Sequence, residues 1–155
     1  MLFRSLRAER ILRSAAIVQM DFAGDLSRVP ELPLSKAKKA LMRFDMIGEP
    51  GAEKILLFCG KLNVLALESN GLRVLTRLGL VTEAKSYSAT YRAARAVTLP
   101  LAGMPNAQLQ QAHLLLRRHG LELCFRTAPA CHSCPLAPAC PAASLPLRRN
   151  PEASA

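Results

Sequence analysis

Tryptophan is absent from this 155-residue chain, and aromatic residues of every kind make up only 5% of it. Large rings therefore cannot dominate the core. Hydrophobic residues still reach 50%, with Leu and Ala abundant, a composition that favours packed helices. Long apolar runs are missing too, so no segment is fit to span a bilayer as a helix. Strand-type alternation is confined to Leu62 to Leu67, a run with no partner to pair with. Acids are scarce in the second half: from Ala84 onward only Glu122 and Glu152 stand against eight Lys or Arg. The net charge of +10 points to a polyanion, with nucleic acid expected ahead of any membrane surface. No secretory signal is evident, and a cytoplasmic location is expected.

What remains reads as a series of short helices. Ala8, Ile11, Leu12, Ala15 and Val18 share one face of an N-terminal amphipathic helix. After a polar break at Asp21 to Ser27, Ser35 is the expected cap of a helix bearing Ala37, Ala40, Leu41 and Phe44. The next begins near Pro50 and carries Ile55 to Phe58. Ser69 or Asn70 is expected to cap a helix with Leu72, Leu75 and Leu78, ended by Gly79. Two more follow, Tyr87 to Val97 and Asn106 to His119. The latter has Leu109, Ala112, His113 and Leu116 on one side and Gly120 as its stop. The expected fold class is all-α.

Cys124, Cys131, Cys134 and Cys140 lie at the spacing C-x6-C-x2-C-x5-C. Four thiols in so short a stretch serve either a metal centre or a pair of disulfides. The missing signal and the odd fifth cysteine, Cys59, favour metal. Thiolate suits both zinc and iron–sulfur clusters, and the spacing alone admits both. Pro129, Pro135 and Pro138 forbid a continuous helix here, as a ligand-bearing loop requires.

A second pattern lies upstream. Phe44 to Phe58 reads as a helix, a turn holding Ile47-Gly48, and a helix opening with Glu49-Pro50-Gly51-Ala52. Amides at such a turn and at the following helix N-terminus can point together at a phosphate, and glycine admits close approach and positive φ. The run from Leu65 to Leu80 follows, carrying Glu68, Arg73 and Arg77, and His113 and His119-Gly120 precede Cys124. This order of hairpin, acid, helix, His-Gly and four cysteines resembles the endonuclease III family of DNA-repair glycosylases, in the helix–hairpin–helix superfamily. The resemblance spans about Ser5 to Ala142. It implies a glycosylase-like helical domain over residues 1–120, incomplete at its N-terminus, a [4Fe–4S] cluster loop over 121–142 and a disordered tail over 143–155. It also implies double-stranded DNA as partner, Ile47, Gly48, Gly51 and Arg126 as DNA contacts, Glu68 as the catalytic carboxylate, and the four cysteines as cluster ligands.

The departures from the family shape the expected activity. Pro50 stands where bifunctional members carry a nucleophilic lysine, so a monofunctional glycosylase, with water as nucleophile, is expected rather than a lyase. Glu68 replaces an aspartate, Met46 the hairpin's first glycine, and Ser69-Asn70 a Thr-His pair. Asp45 stands where a proline is common, an acid beside a phosphate site. Several helices of the family precede the region where Met1 falls, so an upstream segment or a partner is expected to complete the domain. The alternatives are a catalytically inactive DNA-binding iron–sulfur module of the same fold, and a zinc-stapled helical interaction protein.

Overall fold

A computed structural model describes residues 2–144, with side chains from Leu6 onward. The expected disordered tail lies, but for its first two residues, outside the described residues. Six helices account for about half of the chain: α1 (Leu2–Phe22), α2 (Leu34–Leu41), α3 (Glu49–Phe58), α4 (Ser69–Arg77), α5 (Tyr87–Thr98) and α6 (Asn106–Glu122). Short 3-10 turns and irregular segments connect them, and no strand occurs among the described residues. The fold is all-α. None of these helices is long and apolar enough to cross a membrane.

The chain divides into two compact units. The first holds residues 1–66 with 103–110; the second holds 67–102 with 111–155. The core of the first unit gathers Val29, Ala37, Leu41, Ala52, Leu56 and Leu62, flanked by Phe22, Ala40, Ile47, Ile55 and Val64. Leu62 to Leu67, the one stretch with a strand-like pattern, is an irregular segment that buries Leu62, Leu65, Ala66 and Leu67 and exposes Asn63. In the first unit Asn106 Nδ2 ties the start of this segment to the end of α3, donating to Leu62 O and Leu57 O, each at 3.1 Å. The second unit buries Leu72, Val74 and Leu75 of α4, Tyr91 and Ala94 of α5, and His113 of α6.

Helix α1 corrects the expected face. Ile11 and Leu12 are 69% and 70% exposed; of the expected face Val18 alone is half-buried, together with Ile17 and Phe22. Phe22 stacks on Phe44 at 6.3 Å, and the pairs Arg13–Asp45 (2.6 Å) and Asp21–Arg43 (2.9 Å) flank that contact. These residues are three or four apart and define a stripe rotated from the most apolar one.

Helix ends depart from expectation in four places. Helix α2 ends at Leu41, so Phe44, expected on that helix, lies in the turn beyond it. Pro33, not Ser35, precedes α2, and its carbonyl accepts from Lys36 N and Ala37 N. Glu68, not Ser69 or Asn70, caps α4: its carboxylate accepts from Gly71 N at 2.9 Å. Gly120 does not stop α6, which runs on to Glu122. A Cβ at Gly120 would lie 2.7 Å from Asn70 Cβ and 2.9 Å from Asn70 O, so this glycine serves the close approach of α4 to α6. Gly79 does end α4, with φ +75° and a hydrogen bond from its N–H to Thr76 O.

Candidate functional site

In the first unit, the turn between α2 and α3 carries the hairpin residues. Phe44 O accepts from Ile47 N at 2.8 Å, closing the turn, and Gly48 O accepts from Ala52 N at 3.0 Å, opening α3. Ile47 is half-buried against the core, which anchors the turn. Gly48 sits at φ −80° and ψ −178°, not at the positive φ expected of it. A Cβ there would meet only Pro50 Cδ, at 3.8 Å. Neither backbone conformation nor internal space therefore demands glycine. Gly51 lies on the first turn of α3, where a Cβ would touch Ile47 at 3.4 Å.

Acids surround this turn. Lys38 Nζ bridges Glu49 at 2.6 Å and Glu53 at 2.8 Å, and the Glu53 side chain is only 2% exposed. Burial works against the Lys38 charge, but the hydrogen bonds to Glu49 and Glu53 outweigh it and raise its pKa above the ordinary 10.5. Pro50 occupies the second position of α3, where its missing N–H costs nothing.

The second unit assembles the four cysteines. Cys124 follows the end of α6, its N–H bonded to His119 O at 2.9 Å. Cys131 and Cys134 bracket one 3-10 turn, with Cys134 N donating to Cys131 O at 3.2 Å. A second such turn, Ala137–Ala139, delivers Cys140. Ala130 N donates to Leu123 O at 2.9 Å and closes the loop at its neck. All four side chains line one cavity of about 160 Å³, together with Arg77, His119 and apolar residues including Val74 and Leu78. None of the four forms a disulfide. Among the described residues, no three His, Cys, Asp or Glu side chains form a group that could grip a single metal ion.

Two arginines of α4, one turn apart, hold this loop. The sequence alone marks them only as part of their helix. Arg73 donates to Gly120 O (2.7 Å), Cys124 O (2.9 Å) and Asn70 Oδ1 (2.8 Å). Arg77 donates to Phe125 O (2.6 Å), Arg126 O (2.9 Å) and Cys124 Sγ (3.2 Å). The Cys140 thiol donates to Arg77 O at 3.3 Å, and His119 Nε2 lies 3.6 Å from Cys134 Sγ. The i, i+4 spacing of Arg73 and Arg77 was the available signal, since it puts two long donors on one helix face.

Glu68 joins the same network from the start of α4. One carboxylate oxygen caps Gly71 N, and the other accepts from Asn70 Nδ2 at 2.8 Å. Burial and the nearby Glu68 charge raise the Tyr87 phenol above its ordinary pKa. Arg126 is exposed at the start of the cysteine loop. The structure thus gathers the four cysteines around one cavity and groups Ile47, Gly48 and Gly51 at one turn of the other unit. Compared with protein-family models and with curated proteins, the chain matches none.

Proposed function

We propose that the chain is a DNA-binding repair protein of endonuclease III type, built around a [4Fe–4S] cluster held by Cys124, Cys131, Cys134 and Cys140. The observation that carries this reading is the cysteine loop itself. Four thiols line one cavity, yet no residue from Leu121 to Ser144 is buried. A stretch without core residues of its own needs a staple, and four soft sulfurs are suited to supply one. Zinc would draw the sulfurs to about 2.3 Å from one centre, hence ~3.8 Å from each other, leaving no void between them. A cavity of about 160 Å³ favours a larger inorganic group. When bound, such a cluster cross-links the loop and fixes its shape.

The protein's own residues supply the rest of the reading. Ile47, whose N–H closes the turn on Phe44 O, positions the backbone of Gly48 and Gly51 to meet a phosphate of duplex DNA. Arg126, in the other unit, is a contact of its own with the DNA backbone. In an active enzyme, Glu68 activates water to displace a damaged or mismatched base from its sugar by a monofunctional route. Pro50 offers no amine for a Schiff base, so strand cleavage by lyase chemistry is not part of the proposal.

A second reading, a non-catalytic module of the same lineage, gains support from Glu68. Both of its oxygens are already engaged, by Gly71 N and Asn70 Nδ2, a capping role that needs no catalysis. Anaerobic purification tests the common part: iron, acid-labile sulfide and a visible absorption band are expected, and a colourless zinc protein sinks both readings. Duplexes with oxidised or mismatched bases then separate them. An enzyme leaves alkali-labile sites that vanish in Glu68→Gln; the module leaves none.

A further inference from the structure

The second unit contains a groove that neither the hairpin nor the cysteine cavity explains. It is open, has a volume of about 770 Å³, and runs along α4, the 83–87 segment and the first residues of the cysteine loop. That volume falls within the range of ligand sites. Its floor carries Arg73, which meets no carboxylate, and Arg77, which would share its charge with Cys124 once that sulfur ligates a cluster. Arg73 and Arg77 line it, and the hydrogen-bond partners of their guanidiniums are backbone carbonyls, the Asn70 amide oxygen and the Cys124 sulfur rather than carboxylates. Lys85 and Arg126 add exposed cations at its walls, opposed by the lining acid Glu83 and by Glu68, whose charge reaches Tyr87.

Aromatic side chains complete the groove. The chain has only seven Phe and Tyr residues, yet Tyr87 and Phe125, 48% and 41% exposed, both line this one feature. Tyr87 is backed by Tyr91, stacked at 6.3 Å, which holds its ring in place. Exposed rings among cations are what unpaired strands are bound by: cations take the phosphates and rings take the bases. A duplex hides its base faces and would leave both rings without a partner.

We infer that this groove binds an unpaired nucleic-acid strand, with Lys85 and Arg126 on phosphates and Tyr87 and Phe125 stacked on bases. The site is separate from the duplex contacts proposed for the hairpin and would stand without them. Arg126 is also proposed as a duplex contact and is left unaltered in the test.

Fluorescence anisotropy of a labelled oligo-dT strand and of a labelled duplex, on the same full-length protein, reads both sites. Tyr87→Leu and Phe125→Leu are each expected to weaken oligo-dT binding by about tenfold and duplex binding by less than about twofold. Lys85→Gln, an exposed substitution without packing consequences, is expected to lower the salt slope of oligo-dT binding by about 0.7. Thermal melting identifies any ring variant that has lost its fold, in which case Lys85→Gln decides. Oligo-dT affinity and salt slope unchanged in the folded variants would overturn the inference, as would equal losses on strand and duplex or no strand binding by the native chain. Absent duplex binding in the same titration counts against the hairpin contacts and leaves the groove standing.

Discussion

The two units hold their candidate sites with different kinds of partner. Around the hairpin, cations meet carboxylates: Lys38 meets Glu49 and Glu53, Arg13 meets Asp45 and Arg43 meets Asp21. Around the cysteine loop, Arg73 and Arg77 meet carbonyl oxygens and a sulfur. A carboxylate cancels a cation's field, whereas a carbonyl orients the cation and leaves its charge intact. The cations fixed at the hairpin are therefore neutralised and Arg73 is not. Exposed Lys36, Lys39 and Lys54 nevertheless leave the first unit charge of its own, and Arg118 pairs with Glu122 in the second. A count of Lys and Arg along the sequence does not reveal this, because it weights a neutralised Lys38 and an unneutralised Arg73 equally.

This contrast breaks most readily where packing joins α4 to the end of α6. Gly120→Ala places a methyl group 2.7 Å from Asn70 Cβ and 2.9 Å from its carbonyl oxygen, against backbone that cannot step aside. The expected cost is about 3 kcal/mol, read by denaturant unfolding, with Arg73 losing its grip on Gly120 O and Cys124 O. An unchanged midpoint would mean that the two helices are not held this tightly, and the loop's attachment through Arg73 would lose its basis.

In the first unit, Lys38→Met removes the cation that faces the buried Glu53 carboxylate. Lys38 is itself partly exposed, so the cost should fall between those of surface and interior pairs, about 2 kcal/mol. The pH dependence has a defined sign. The folded-state pKa of Lys38 is raised, so its contribution is complete below the unfolded value of 10.5 and is lost as pH rises through the folded value. Unfolding experiments above pH 10.5 should show a decline in the native protein that is smaller in Lys38→Met. Equal declines would show that the charge of Lys38 does not secure this turn.

Patterns that depend on near neighbours were legible in the sequence. The apolar face of α6 is one, with Leu109 and His113 buried; Pro50 in the first turn of α3 and Gly79 at the end of α4 are others. Each follows from periodicity or from local backbone chemistry. The departures share a different cause. Gly120 resembles a helix stop, but its reason is Asn70, fifty residues away. Ser69 and Asn70 have the chemistry of caps, but the longer Glu68 side chain reaches back to Gly71 N first. The Ile11–Leu12 stripe is the most apolar face of α1, yet ion pairs to Asp45 and Arg43 turn another face inward. At the candidate site, the cysteine spacing foreshadowed four thiols around one cavity, whereas the grip of Arg73 and Arg77 depends on which carbonyls the fold brings within reach.

The smallest expected change in stability falls on the residue that most directly tests the hairpin. Gly48 has an ordinary φ, and an added Cβ would meet only Pro50 Cδ, at 3.8 Å, so alanine fits. Alanine is a poorer N-cap than glycine, but it also restricts the unfolded chain. These effects oppose one another, and Gly48→Ala should change stability by no more than about 0.5 kcal/mol. Duplex binding should respond differently. A methyl group at the turn stands where a phosphate would approach the amides, and loss of one charge-assisted hydrogen bond corresponds to about a tenfold fall in affinity. A glycine that the fold does not require, at a position that DNA does, would explain why this turn keeps it. Full duplex affinity in Gly48→Ala would instead move DNA recognition away from the dipoles of the first unit and onto the charges of the second.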